Sequence, residues 1–435
     1  MQAAPAGRKI TSFRRGHRRR GANTAAMRKQ VSVEELQFGV YIAELDRPWT
    51  ETPFMFQGFI LDNDKQLEVL KKHCKKVIID LEKGPDLDDP RLRKRAAGDG
   101  PKPASVLASI ENKVKYEEQV SVDQELPRAR QAQQKTETVL KHMLYTIEAG
   151  KAIDAPRVKE AVTNMTDSVV RNPDAMLLLA KLKEKGEHTL DRAVGVSIYM
   201  ITFGRFLQLP RDQLDLLGMV GLLQDVGKVR LPADLLNKTQ PLTDAELEAC
   251  KAHVGHSATI LKESPGLPPQ LPALASLHHE RYDGSGYPRR LKGQEIGLFG
   301  VIAGLIDCFD ALTHPRPYGE ALAPSNALSL LYGWRDTLFD GPLVEQFIQC
   351  IGIYPVGAIV EMNTGETGIV IAQNVARRLQ PRVMVVLDDK GNQLRPQKIL
   401  DLSRDPKAAP DLPYRIKRTL EKGSVPIDPS EFFLG

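Results

Sequence analysis

Cysteine is scarce and scattered: the 435-residue chain has four, Cys74, Cys250, Cys308 and Cys350. No C-x-x-C pair occurs, which excludes a zinc knuckle and a thioredoxin-type motif and leaves reduced thiols as the expectation. No apolar run reaches the ~18 residues that a bilayer span needs, and no apolar stretch follows the basic start as a secretory leader requires. Gly and Pro, at 33 and 30 residues, are near average, and hydrophobic residues make up 42%. A disordered, collagen-like or disulfide-scaffold chain is thereby excluded. No solenoid or propeller period is found. These absences lead us to expect a cytoplasmic protein of two to four domains with ample core.

Charge is unevenly placed. Residues 1–30 hold nine of the 60 Lys+Arg and no acid, so the rest of the chain carries 51 basic against 55 acidic residues. A basic tail can bind anionic lipid or nucleic acid by releasing counterions. We read it as a solvated, disordered extension over residues 1–27, with Met27 opening a more ordinary sequence. Nucleic-acid binding is not expected, because the remainder shows no basic stripe.

Residues 28–81 read as a small α+β domain. Val40–Leu45, Phe56–Leu61 and Val77–Ile79 are strand-like, and Asp64–Lys72 has helical spacing at Leu67 and Leu70. Residues 82–154 read as a charged, Pro/Gly-rich linker (82–103) followed by helices. Residues 155–350 form a dense helical domain. Val158, Val162, Met165 and Val169 make one apolar stripe, Leu214–Leu223 is apolar nearly all round, and Thr243 with Glu246 is a capping box. Residues 351–405 read as a small β domain, expected to close into a barrel, and 406–435 as a loosely held tail. The fold class is therefore mainly α, with a small N-terminal α+β domain and a small C-terminal β unit.

Histidines and aspartates cluster in the helical domain. Asp225 ends a buried helix, His253 rides the next, His278 and His279 end another, and Asp307 lies on a fourth. Buried carboxylates are costly unless paired or coordinated, and imidazoles with carboxylates suit a transition metal. A lone histidine here would be a core residue; the cluster points to a metal site.

From His278 the chain reads His-His-Glu-Arg-Tyr-Asp-Gly-Ser-Gly-Tyr-Pro. This element resembles the HD-GYP proteins, a branch of the HD metal-dependent phosphohydrolases. The resemblance extends through Asp225-Val-Gly-Lys228, His253 and Asp307-Cys-Phe-Asp310, over roughly residues 155–350, so an HD-type helical bundle is implied. Residues 28–80 also resemble a small domain that often precedes HD-GYP, and the tract from Gly352 resembles a common tail of such proteins.

The resemblance implies hydrolysis of cyclic di-GMP to pGpG or GMP with two or three iron or manganese ions. By family precedent, Asp225, His253, His278 and His279 hold one metal. Two histidines of the other site are replaced, by Arg192 and Gln224, leaving Asp225 and Asp307 there. One well-formed divalent metal site is thus expected, with turnover weak or lost. Arg192 is expected to fill the vacant position and neutralise Asp225 and Asp307. Lys228 is expected to meet a phosphate and act with Asp225 in catalysis, with Arg316 and Tyr287 contacting the dinucleotide. Arg281 and Asp283 are expected to pin the Gly-Tyr-Pro loop, whose Gly284 and Gly286 supply unusual backbone angles. Diguanylate cyclases of GGDEF type are an implied partner. The alternative is an inactive cyclic di-GMP receptor or scaffold.

Overall fold

In the computed structural model of the chain the described residues are 28–47, 52, 54, 58–61, 64–82, 84–89, 105–182, 188–314, 321–374, 377, 379–420, 424–425, 427 and 430–433. The expected tail, residues 1–27, and most of the linker lie outside them. The chain divides into two compact units, residues 3–103 and, apart from the first two residues, 104–435.

In the first unit β1 (Arg28–Ser32), β2 (Tyr41–Leu45), β3 (Phe59–Ile60) and β4 (Lys76–Asp80) form an antiparallel sheet in the order β1-β4-β2-β3, with α1 (Asp64–His73) between β3 and β4. Val40, Ile42, Leu61, Leu70, Val77 and Ile79 form its core. The strand β1 was not expected, because Arg28-Lys29-Gln30 shows no alternation of apolar and polar residues. It is an edge strand: its first three side chains are exposed and only Val31 is buried, and polar side chains are tolerated on such an edge.

The second unit begins with α2 (Val122–Glu148), which starts on a Ser121 capping box, and α3 (Ala155–Arg171), capped by Asp154. The expected stripe is the buried face of α3: Val158, Val162, Met165 and Val169 are at most 1% exposed. A buried ion pair ties the two helices, Arg171 donating to both oxygens of Glu125 at 2.7 and 2.8 Å while Ser168 adds a third bond. Then come α4 (Pro173–Leu182), α5 (His188–Phe206), α6 (Arg211–Leu223), the short α7 (Ala233–Leu236), α8 (Asp244–Lys262), α9 (Leu271–Ala275), α10 (Gly297–Thr313), α11 (Pro324–Gly333) and α12 (Gly341–Ile351). Thr243 and Glu246 form the capping box of α8.

One segment corrects the expectation that no run is long and apolar enough to span a bilayer. Gly293–Thr313 qualifies by length and composition, yet 78% of its most apolar window is buried inside the protein. It contains α10, whose buried residues include Val301, Ile302, Leu305, Ile306 and Phe309 together with Asp307 and Asp310.

After the bundle, β5 (Ile359–Met362), β6 (Thr367–Ala372), β7 (Arg382–Leu387) and β8 (Gln393–Asp401) follow as an antiparallel meander. A β-hairpin of β9 (Lys407–Ala409) and β10 (Leu412–Pro413) leads to β11 (Ile416–Thr419). Two expectations change here. Sheet order is β11-β5-β6-β7-β8, so among the described residues the sheet stays open with β8 and β11 at its edges, rather than closing as a barrel. The stretch expected to be loose supplies β11, because Ile416–Thr419 pairs with β5 and Lys417 and Arg418 both reach Glu361 at 2.6 Å.

Candidate metal centre

Four elements converge on one polar cluster inside the helical bundle. Asp225 follows α6, His253 lies in the middle of α8, His278 and His279 sit in the turn just after α9, and Asp307 lies on α10. One ligand atom from each of Asp225, His253, His278 and His279 lies within 4.8 Å of the others. His253, His278 and His279 are each at most 4% exposed.

Backbone carbonyls set the histidine tautomers. Nδ1 of His253 meets the Cys250 carbonyl at 2.6 Å, and Nδ1 of His278 meets that of Ala275 at 2.7 Å. A carbonyl only accepts, so each Nδ1 carries a proton and Nε2 is the nitrogen that each ring turns inward. Those two Nε2 atoms face one another at 3.3 Å, and they lie 3.2 and 3.6 Å from Oδ1 of Asp225. Asp225 Oδ1 and His279 Nδ1 are buried without a hydrogen-bond partner. Ring nitrogens that face one another and an orphaned carboxylate oxygen need a proton or a metal cation among them. Three imidazole nitrogens and one carboxylate suit a divalent transition metal, so these four residues fit the group that the cluster implies. Burial and the neighbouring His278 and His253 push the His279 pKa well below its ordinary value, which keeps that ring neutral.

The loops that carry these ligands depend on close backbone approach. A Cβ on Gly227 would lie 2.1 Å from the His253 carbonyl oxygen and 2.3 Å from Ser257 N, and the Gly227 N–H donates to Ser257 Oγ at 2.8 Å. Only glycine lets the turn after Asp225 lie against α8. Gly284 has φ +82°, as expected. Gly286 differs from expectation, since it is required by space: its Cβ would lie 2.4 Å from Arg281 N. Arg281 and Asp283 do brace this loop. Arg281 donates to the carbonyls of His278 and Glu280 at 3.1 and 2.6 Å, and Asp283 accepts from Ser285 N at 2.8 Å. Glu280 adds a clamp that sequence reasoning missed, taking the N–H groups of Arg289 and Leu291 at 2.7 and 3.0 Å. Tyr287 stacks on His279, with ring centroids 4.6 Å apart.

The opposite side of the cluster carries its own positive charge. Arg192 on α5 donates through Nε to Asp310 Oδ2 at 2.7 Å and through its terminal nitrogen to Asp307 Oδ1 at 3.4 Å. Asp310 is 0% exposed, and His314 approaches its other oxygen at 3.1 Å. Burial works against charge on Asp310, but His314 and Arg192 outweigh it and hold the carboxyl well below the usual carboxylate range. The same carboxylates hold the Arg192 guanidinium charged against its own desolvation.

This modifies the expected pairing. Arg192 meets Asp307, as expected, but its stronger partner is Asp310, while Asp225 is bonded by Lys228 at 2.6 Å. Burial penalises the charge on Asp225, and Lys228 with the facing histidines more than offsets it, so its pKa falls well below the ordinary value. Lys228 therefore sits on a protein carboxylate. Gln224, where the second expected histidine is replaced, is 1% exposed and leaves Oε1 buried without a partner. Asp310 and His314 had not been expected in the site. The readable signal was Asp310 one turn after Asp307 on a helix otherwise apolar all round. Arg316 lies outside the described residues, as does the side chain of His188.

Residues 176–343 match the HD domain family, 28–158 a domain of unknown function (DUF3391) and 359–409 a KOW domain associated with HD domains. Those matches define an HD-domain protein with its own flanking modules. A cyclic di-GMP phosphodiesterase of Pseudomonas aeruginosa is 31% identical over 386 residues, covering 87% of this chain and 90% of that protein. With the His-His and Gly-Tyr-Pro element in place, the chain belongs to the HD-GYP family. The cyclic di-GMP phosphodiesterase response regulator RpfG of Xanthomonas campestris pv. campestris is 39% identical over 144 residues, 33% of this chain and 38% of that protein. The 3'3'-cGAMP-specific phosphodiesterase 2 of Vibrio cholerae is 30% identical over 192 residues, 44% of this chain and 34% of that one.

Proposed function

We propose that this chain is a slow cyclic di-GMP phosphodiesterase of the cytoplasm, built around one divalent iron or manganese ion held by Asp225, His253, His278 and His279. The observation that carries the reading is the guanidinium of Arg192, which pairs with Asp310 and also reaches Asp307, one of the two carboxylates left to a second metal, while Lys228 holds the other, Asp225. A bound divalent cation lowers the pKa of a water at the site and offsets charge building on a phosphoryl oxygen.

The chain's own residues supply the rest. His253 and His278 keep Nδ1 on backbone carbonyls, so Nε2 of each ring is the atom turned toward the cation. Lys228 exchanges its Asp225 partner for a phosphate oxygen of the dinucleotide. Tyr287, whose pKa burial and the nearby Asp307 push far up, remains a neutral wall stacked on His279, and Arg316 meets the second phosphate. We divide the chain into an N-terminal input domain (28–81), a connecting segment (82–154), the HD-GYP domain (155–350) and the β unit (351–405) with its C-terminal stretch. The Gly-Tyr-Pro loop is the surface we assign to docking GGDEF-type diguanylate cyclases.

The test is turnover by protein purified without oxygen and supplied with iron or manganese, with cyclic di-GMP and 3'3'-cGAMP as rival substrates. Linear product should form on the order of 10³-fold more slowly than at a two-metal site, and His278→Ala should abolish it. A rate equal to that of two-metal relatives would contradict the one-metal reading. Dinucleotide binding with no product would establish a receptor instead.

A further inference from the structure

A second polar feature lies well away from the metal cluster. Thr202 and Arg205 are ten and thirteen residues beyond Arg192 on α5, which is about 15–20 Å along a helix axis. There α4, α5 and α12 meet the chain leaving β6 around a cavity of about 70 Å³, lined by Asp174, Leu177, Thr202, Arg205, Phe206 and Cys350 among others. That space holds several waters or a molecule of about four heavy atoms.

Asp174 is only 6% exposed. One oxygen of its carboxylate accepts the Gln373 N–H at 2.9 Å; the other has no hydrogen bond and no ion pair, on a residue that lines the cavity. Arg205 lines the same cavity but directs its donors to the Val170 carbonyl at 3.3 and 3.4 Å. Thr202 Oγ1 is buried without a partner. Burial pushes the Asp174 carboxyl up to about 7, with Glu118 adding to the rise and the Gln373 N–H, Arg205 and Arg382 opposing it. A buried carboxylate with one open side is costly unless a cation or donor meets it. The rest of the lining is mixed: Pro173, Leu177 and Phe206 are apolar, Gln349, Gln373 and Asn374 are polar, and the exposed Glu118 stands among them.

We propose that this cavity is a binding site for a compact primary ammonium compound, its –NH₃⁺ on Asp174 and its short hydrocarbon body against Leu177 and Phe206. Thr202 Oγ1 accepts a second N–H. Two carboxylates against one engaged guanidinium disfavour an anion. The site is distinct from the metal centre, because none of its lining residues is a candidate ligand.

The experiment uses the full chain and n-propylammonium chloride, with tetramethylammonium chloride and potassium chloride at equal ionic strength as controls. Calorimetry should give saturable binding for n-propylammonium and none for the controls. Asp174→Asn keeps an oxygen for the Gln373 N–H and removes the charge, and should weaken binding at least tenfold. Independently of any variant, n-propylammonium should slow iodoacetamide alkylation of Cys350, which lines the cavity, and leave that of Cys308 unchanged. Equal binding by the Asn variant, equal effects of the tetramethylammonium control, or unprotected Cys350 would each overturn the proposal.

Discussion

The two halves of the buried cluster solve one electrostatic problem in opposite ways. On the Asp225 side, two Nε2 atoms face each other at 3.3 Å and a carboxylate oxygen and a third imidazole nitrogen have no donor. On the Asp307 and Asp310 side, the guanidinium of Arg192 lies 2.7 Å from a wholly buried carboxylate. The first half is assembled for a cation that arrives from solution; the second has one built into α5. The contrast teaches that buried carboxylates can be offset by an always-charged side chain with a forked donor geometry, which matches an ion's charge without supplying its chemistry.

The comparison breaks most visibly if single ligands are removed. His278→Ala takes away a nitrogen from the receptive half, and metal affinity measured by competition with a chelator should fall on the order of 10²-fold or more. On the other half, Arg192→Ala leaves Asp310 buried and unpaired. Metal-free protein should then lose about 3–5 kcal/mol of unfolding free energy in urea titration, an effect that no change on the receptive half should reproduce without metal. Gly227→Ala touches neither set of charges; it drives a Cβ onto the His253 carbonyl and should cost about 1–3 kcal/mol while also weakening metal binding, because His253 must move.

Asp174 sharpens the contrast as a buried carboxylate with no guanidinium on it. Its folded pKa of about 7 lies above the ordinary value near 4 of an unfolded chain. The fold therefore holds this proton more tightly than the unfolded chain does, and its stabilising contribution, complete below the unfolded value, is lost as pH rises to the folded one. Across that window the loss runs at about 1 kcal/mol per pH unit. Asp174→Asn should thus raise the melting temperature at pH 8 and leave it nearly unchanged at pH 4. Asp310, whose pKa is driven down, should show the opposite dependence. The smallest expected effect is a control away from both halves: Thr243→Ala removes the α8 cap and should cost about 1 kcal/mol without changing metal content.

Much of this architecture was legible in the chain. The α3 stripe, the apolar α6 and the Thr243–Glu246 cap follow from periodicity and capping chemistry, which are local. That histidines and aspartates gather at one place was readable because they are expensive inside an apolar helical block, and the grouping of Asp225, His253, His278 and His279 followed from the resemblance to HD-GYP proteins. Three features were not readable. The edge strand β1 hides in a run of charges, and β11 pairs with a strand more than fifty residues earlier, so neither carries a local signal. The true partner of Arg192 depends on which turn of α10 faces α5, a packing register that the spacing of Asp307 and Asp310 leaves open.

The most direct test of the central claim is metal content. Wild-type chain and the double variant Arg192→His, Gln224→His, each saturated with manganese and freed of excess, should be counted by elemental analysis. The account predicts one ion per wild-type chain and two per double-variant chain. Two ions in the wild type would mean that Arg192 yields its carboxylates to a second cation, and would contradict it.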